Sequence, residues 1–415
     1  MRRAQVGFGV LAAVTMLAAS AHAQVTSERM TEGRQPRSVK FVVQARVDHD
    51  TNVPRVSAAN ALLLRVERED TIYTPTAKVD ALIPVGRQAV FLQASAGYLF
   101  HQRNPRLDTS NIDATGGLGN VFGPCGSIVA GSYRRGRSEL DDRVLVATVQ
   151  NILEVKSVRA DLTCVRPPGL GLNLSASRDL ASNSSTLVGT SDYTTSSATA
   201  AVFYGRPSVG KIFLQANYGK TDYKTRVVIP GNAEGFESVG VGLRLERKLG
   251  ARIEAVAETS YTKVNVSKVP GGVGPVQLVD NFRGLTYKGE VTVKASSRLL
   301  GKASVRREIV PTILQGRGYE IQTTYGGGLT YRIGTRLALD LAGEEQRKNI
   351  REGLAPVPLN SITDSRLRTG SATLRYKQSA RLSFTLNGQL EERKADDPQF
   401  NYTSERVGLS ADLSF

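Results

Sequence analysis

The sequence predicts an all-β fold: a single transmembrane antiparallel up-and-down β-barrel of about eighteen strands, with sixteen as the alternative count. Three observations predict it. Segments that alternate apolar and polar residues recur along the chain, short connectors alternate with long polar ones, and the final segment alternates strictly into a terminal Phe415. In that segment Val407, Leu409, Ala411, Leu413 and Phe415 are apolar, and Gly408, Ser410, Asp412 and Ser414 between them are small or polar. A period of two belongs to a strand with one apolar face.

The N-terminus reads differently. Arg2 and Arg3 form a positive start, Val6 to Ala19 is almost wholly apolar, and Ala21-His22-Ala23 places small residues where a signal peptidase cuts. This layout predicts a secretory signal peptide over residues 1–23, cleaved near Ala23. The alternative is an N-terminal anchor helix, for which the apolar stretch is short. No Cys follows the cut, which argues against a lipoprotein. Residues 24–37 are expected as a periplasmic N-terminal tail, a disordered end or a docking segment for a periplasmic partner. Residues 38–415 are expected as one barrel domain, because no linker divides them. Beyond Gln24 the longest apolar runs, such as Ala61-Leu62-Leu63-Leu64, cover only a few residues. Such a chain is either soluble or crosses a bilayer as a closed barrel.

The alternation repeats from the first strand onward. Phe41, Val43, Ala45 and Val47 stand against Lys40, Val42, Gln44, Arg46 and Asp48; Tyr73, Ala77, Val79 and Ala81 against Thr74, Thr76, Lys78 and Asp80. Val90, Leu92, Ala94, Ala96 and Tyr98 share the next face. Later come Val239 to Leu245 against Arg244 and Glu246, and Leu285 to Val293 against Lys288, Glu290 and Lys294. Leu337, Leu339 and Leu341 oppose Asp340, and Leu382 to Leu390 closes the series before the last strand. No segment suits an amphipathic helix better.

The connectors predict the orientation. Pro84-Val85-Gly86-Arg87, Lys248-Leu249-Gly250, Ser296-Ser297-Arg298, Ile333-Gly334-Thr335 and Gln378-Ser379-Ala380 are tight and read as periplasmic turns. Residues 50–70, 181–191, 224–234, 266–280 and 349–365 are longer and polar, and read as extracellular loops. Outer-membrane barrels show this alternation. The expected location is therefore the bacterial outer membrane. Tyr73, Tyr98, Phe100, Tyr133, Tyr261, Tyr287, Tyr331, Tyr376 and Phe415 lie near strand ends and suit interfacial girdles, without Trp.

The chain carries a formal +16, or +14 once Arg2 and Arg3 leave with the signal. That field favours anionic partners, among them lipopolysaccharide phosphates at the outer rim. Nucleic acid is a poor fit for an exported chain without a basic helix or zinc motif. If apolar residues face lipid, Lys40, Arg46, Lys78, Asp80, Arg244, Glu246, Lys288, Glu290, Lys294, Asp340 and Arg375 line the lumen. Two readings stay open: a basic conduit for anionic solutes, or opposite charges that pair across the interior.

Cys125 begins one segment and Cys164 ends another, so a hairpin about residues 137–142 would bring them opposite each other near the periplasmic edge. In an oxidising compartment this predicts a disulfide, with free thiols as the alternative. Enzymatic chemistry finds no support. The mature His residues are His49 and His101, and neither assembles with Ser, Asn or Asp partners into a recognisable set. Asp48-His49-Asp50-Thr51-Asn52 offers oxygens for a cation but lacks a known calcium-loop spacing, and a solvated rim turn is the simpler reading. Gly271-Gly272-Val273-Gly274 reads as a loop, and Gly326-Gly327-Gly328 as a bend or bulge in a strand. No cofactor or metal is expected.

The N-terminal third resembles the β-barrel porin 2 group. The likeness rests on Asp48-His49-Asp50-Thr51-Asn52-Val53, Asp70-Thr71-Ile72-Tyr73-Thr74-Pro75 and the Pro84-Val85-Gly86-Arg87 turn, with His49 near where the group usually has an aromatic residue. The resemblance implies an outer-membrane barrel and, for some members, association with exopolysaccharide synthesis and export. The terminal Phe415 strand is likewise similar to the ending of outer-membrane barrels, which implies recognition by the barrel-assembly machinery. The functional expectation is a porin-like channel passing small or anionic solutes, with a link to exopolysaccharide export. The alternative is a non-conducting structural or surface-binding barrel with a plugged lumen.

Overall fold

The computed structural model describes residues 27, 37–137, 151–166, 169–184, 192–206, 208–229, 232–266, 281–312, 317–352 and 363–415. The expected signal peptide, most of the tail 24–37 and the Gly271–Gly274 run lie outside them. The strands are β1 (Ser38–Asp50), β2 (Asp70–Val85), β3 (Gln88–His101), β4 (Thr109–Phe122), β5 (Cys125–Arg137) and β6 (Ile152–Arg166). They continue with β7 (Leu170–Asn183), β8 (Tyr193–Arg206), β9 (Gly210–Ile229), β10 (Asn232–Leu249), β11 (Ile253–Val266) and β12 (Arg283–Lys294). The last six are β13 (Leu299–Pro311), β14 (Arg317–Ile333), β15 (Leu337–Glu352), β16 (Asp364–Lys377), β17 (Leu382–Ala395) and β18 (Tyr402–Ser414).

Each strand pairs antiparallel with its sequence neighbours, and β1 pairs with β18, so the 18-stranded sheet is closed. Closure leaves no edge strand with unpaired backbone groups. The seam runs from Val42↔Ser414 to Asp50↔Arg406, and Phe415 N–H donates to the Phe41 carbonyl at 2.9 Å while the two rings stand 6.0 Å apart. No helix among the described residues is long and apolar enough to cross a membrane.

Tight turns gather at the rim that holds the chain's Ser38 end and Phe415. The β8–β9 turn shows why glycine is required there: Gly210 has φ +94°, and a Cβ at that position would collide with the Glu246 carbonyl on β10. Longer connections lie at the other rim. Two expectations change. Residues 224–234 are mainly strand, because β9 runs to Ile229 and β10 starts at Asn232, with register shifts near Ala233. Gly326-Gly327-Gly328 pairs regularly with Glu344, Gly343 and Ala342, so it marks neither bend nor bulge. The long β1–β2 connection also contains one helical segment, α1 (Ala58–Leu64), over the Ala61–Leu64 apolar run. Ser57 caps it by accepting from Asn60 N–H.

The alternation sorts the faces. Val39, Phe41, Val43, Leu92, Val129, Val158, Leu214, Val241, Leu243, Leu285, Leu386 and Leu409 are all exposed on the outside. A continuous exposed apolar belt of this kind is incompatible with a water-covered wall. It suits hydrocarbon, where backbone groups must be paired between neighbouring strands, as the antiparallel ladders do along the belt.

Candidate functional site: the lumen and its long-loop mouth

Strand parity puts the opposite register positions inside. Lys40, Arg46, Lys78, Asp80, Arg244, Glu246, Lys288, Glu290, Lys294, Asp340 and Arg375 all occupy positions opposite the exposed apolar residues. Pairing brings several together. Lys40 stands across from Asp80 in the β1–β2 ladder. Arg46 donates to Asp48 at 2.7 Å, Arg244 to Glu246, and Lys294 approaches Glu254 at 3.3 Å. Lys288 lies within electrostatic reach of Glu290, Arg244, Glu258 and Arg306. Asp340 accepts from Thr330 Oγ1 at 2.6 Å, and Arg375 is flanked in register by Ala338 and Thr385.

Several of these contacts follow an Arg-x-acid spacing, which puts both side chains on one face of a strand. Arg159–Asp161 and Arg306–Glu308 on the inner face repeat it at 2.6 and 3.1 Å. That spacing is visible in the sequence and would have found these pairs. The lumen is not wholly polar: Phe203 and Phe213 stack with centroids 4.8 Å apart, and Arg244 lies 5.4 Å over the Phe213 ring. Leu82, Ala89 and Ile128 form a second inward apolar patch. Near that rim Ser27 Oγ lies 2.8 Å from Thr163 Oγ1, both buried, on the inner face of β6. Cys125 and Cys164 face each other in the β5–β6 ladder and form a disulfide.

At the long-loop mouth two inward contacts narrow the interior. The first is polar. Arg55, in the β1–β2 connection with φ 55°, reaches the inner face of β17 and β18. It donates to Asp50 at 3.0 Å and to Glu391 at 3.0 Å. Asp50, fully buried, also accepts from Arg406 Nε at 2.9 Å and Ser404 Oγ at 2.7 Å. Desolvation works against the Arg55 charge, but Glu391 and Asp50 outweigh it and hold the guanidinium's pKa above its usual value. Asn52, also fully buried, ties the same segment to the Val56 and Thr403 carbonyls at 2.9 and 3.0 Å. Sequence reasoning missed this cluster because its members are far apart in the chain. The cation reading of Asp48-His49-Asp50 fails here. Asp48 and Asp50 point inward to Arg46, Arg55 and Arg406, while His49 points the other way toward Glu69 at 3.4 Å.

The second contact is apolar. β12 and β13 pair only between Tyr287↔Arg307 and Lys294↔Leu300, so the wall parts beyond Arg307. There the outward-register residues Ile309, Tyr319 and Ile321 pack on inward-register Phe236, Val264 and Val266, with Phe282 alongside. The tip of the β13–β14 hairpin therefore passes inside the ends of β10–β12. Tyr223, on the inner face of β9, fixes the tip: its hydroxyl donates to the Thr312 carbonyl at 2.9 Å and accepts from Thr312 N–H at 2.9 Å. Tyr193 on β8 packs edge-on against Tyr223 with centroids 6.2 Å apart.

No family model and no curated relative matches the sequence. Solved structures with a similar fold include the outer membrane protein opdK from Pseudomonas aeruginosa. It is 11% identical, with a TM-score of 0.45 over 91% of this chain and 99% of that one. OccK2 (OpdF) from the same organism, solved in complex with glucuronate, is 10% identical, with a TM-score of 0.47 over 91% of this chain and 98% of its own. The siderophore receptor PirA from Pseudomonas aeruginosa is 11% identical, with a TM-score of 0.43 over 92% of this chain and 81% of that chain. The likeness is to outer-membrane barrels in overall form, and no lumen residue is carried over from them.

Proposed function

We propose that the chain is an outer-membrane channel whose charged lumen passes small anionic solutes through a mouth narrowed from two sides. One observation carries this reading: the closed barrel presents apolar side chains outward and charged or polar ones inward. A wall of that polarity separates lipid from a wet interior. The lumen candidates, seven basic against four acidic, and the formal +14 of the chain without Arg2 and Arg3 favour anions over cations. Export by a signal peptide cleaved near Ala23, assembly through the Phe415 strand and contact with lipopolysaccharide belong to the same reading. The motif likeness to the β-barrel porin 2 group supports it, while the exopolysaccharide association implied by that group has no counterpart in the observed geometry.

A second reading has specific support. The Arg55 segment, the β13–β14 tip and Ser27 all turn inward, as a plugged or partner-gated barrel requires. Planar-bilayer recording of the refolded mature chain under a salt gradient separates the two. Stable steps with reversal toward the anion potential are expected. Silence from protein that still shows heat-shifted gel mobility would replace the open channel with the plugged barrel.

A further inference from the structure

Outside the lumen, the wall of β13–β17 carries an ordered arrangement that the channel reading does not use. Residues in register across these strands form rows. One step below the Ile309, Ile321, Asn349 and Asp364 row at the long-loop end comes the row Arg307, Thr323, Arg347, Arg366 and Lys394. The next is Val305, Tyr325, Glu345, Arg368 and Glu392, and the one below is Ala303, Gly327, Gly343, Gly370 and Leu390. Beneath that, Leu329, Leu341 and Ala372 begin the apolar belt. All these rows share the outward face with exposed Tyr325, Leu329, Leu341 and Leu374.

The order is cations, then an acidic hub, then glycines, then apolar side chains. Glu345 accepts from Arg347 at 2.7 Å and from Arg368 at 3.1 Å, and also from Arg366, so one carboxylate holds several guanidiniums in place. The cations still outnumber it. Arg307, Arg347, Arg366 and Lys394 line one recess, against Asp364 and Asp396. Arg307 Nε and Arg366 Nε are buried there without an acceptor among the described residues. The glycine row is a trough: nothing lies within 4 Å of a Cβ built on Gly370, and only a carbonyl at 4.0 Å from those on Gly327 and Gly343.

We propose that this face binds a phosphorylated glycolipid of the outer leaflet, of the lipid A type. Its phosphates would lie on the cation row and an acyl chain in the Gly327–Gly343–Gly370 trough. Arginine forks suit phosphate. The row from Arg307 to Lys394 crosses strands spaced about 4.8 Å apart and spans about 19 Å, too wide for a single phosphate and suited to a headgroup carrying two. The depth order of charge, trough and apolar belt matches headgroup above hydrocarbon. The proposal rests on the outer-membrane reading but is tested apart from it.

The test uses the refolded full-length mature chain in detergent, with diphosphorylated lipid A as probe and retention scored by native mass spectrometry. Two variants separate the parts of the site. Arg307→Gln with Lys394→Gln removes the flanking cations and leaves the Glu345 hub; Gly343→Leu fills the trough and leaves every charge. Each is expected to weaken lipid A retention by roughly tenfold, with heat-shifted gel mobility unchanged. Retention within about twofold of wild type in both folded variants overturns the site. Equal retention of dephosphorylated lipid A, or binding of inorganic phosphate without lipid A, overturns it as well. Cell fractionation and conductance decide the outer-membrane reading independently.

Discussion

The two inward contacts at the mouth close the same barrel by opposite means. Across β1, β17 and β18 the latch is ionic at its centre: Arg55 sits between Glu391 and Asp50, which Arg406 also binds, with only the small Val53–Ile72–Leu107 cluster beside it. Across β9–β14 the latch is a layer of rings and branched side chains, Phe236, Tyr319, Val264 and Ile321, finished by one hydroxyl. A buried ion cluster depends on every member, since deleting one strands the charge of another. An apolar layer spreads its stabilisation over area and tolerates partial loss. The polar latch is therefore the brittle one, and the apolar latch the one that fixes where the hairpin tip lies.

The comparison is broken most directly at Arg55. Arg55→Ala leaves fully buried Asp50 with one cation fewer, and the expected cost is about 3–5 kcal/mol of local stability. Hydrogen exchange over residues 50–70 reads it, and unchanged protection there would show that the ion cluster does not hold the segment. A smaller effect is expected at Tyr223→Phe. It keeps the ring in the apolar layer but leaves both backbone groups of Thr312 without the hydroxyl, costing about 1–3 kcal/mol. Exchange at the β13–β14 tip should rise while that over residues 50–70 stays constant. The double variant sharpens the point. The latches share no residue, so the two losses should add to within about 0.5 kcal/mol, and a large deviation would mean that the mouth closes as one unit.

The smallest expected effect is one of pH. Asp396, in the β17–β18 connection, has desolvation pushing its pKa up. Hydrogen bonds from Thr363 Oγ1 and from the Thr363, Asp364 and Asp397 N–H groups outweigh it and hold the carboxyl below its usual value. A lowered folded pKa stabilises the ionised form, so this contribution is present above about pH 4 and fades as pH falls through the lower folded value. Protection of residues 363–364 is expected to be flat from neutral pH down to that range and to drop only below it. A drop centred near pH 6 would assign the effect to another group.

Much of this was legible because barrel strands obey a local rule. The period-two pattern put Lys40, Arg46, Arg244 and Lys288 on one face and Phe41, Val43, Leu243 and Leu285 on the other, and parity within a strand does not depend on its neighbours. Hairpin geometry placed Cys125 opposite Cys164 for the same reason. What escaped was set by contacts between distant segments. Nothing near Arg55 in the sequence announces Glu391 or Arg406. Ile309, Tyr319 and Ile321 follow the outward parity of their strands, and only the parting of β12 from β13 turns them into a buried layer. The loop expected at residues 224–234 became strand because the β-branched Val227-Val228-Ile229 run carries β9 on, and Ile229 and Val227 find partners in Asn232 and Ala233 of β10.

By itself, then, the sequence determined a closed all-β barrel with sorted faces, since alternation and tight turns act over a few residues and antiparallel neighbours follow from chain order. The tertiary structure alone decided how the mouth is narrowed and which cations align across β13–β17. Both depend on the register between strands and on segments folding back over one another, and neither leaves a periodic trace in the chain.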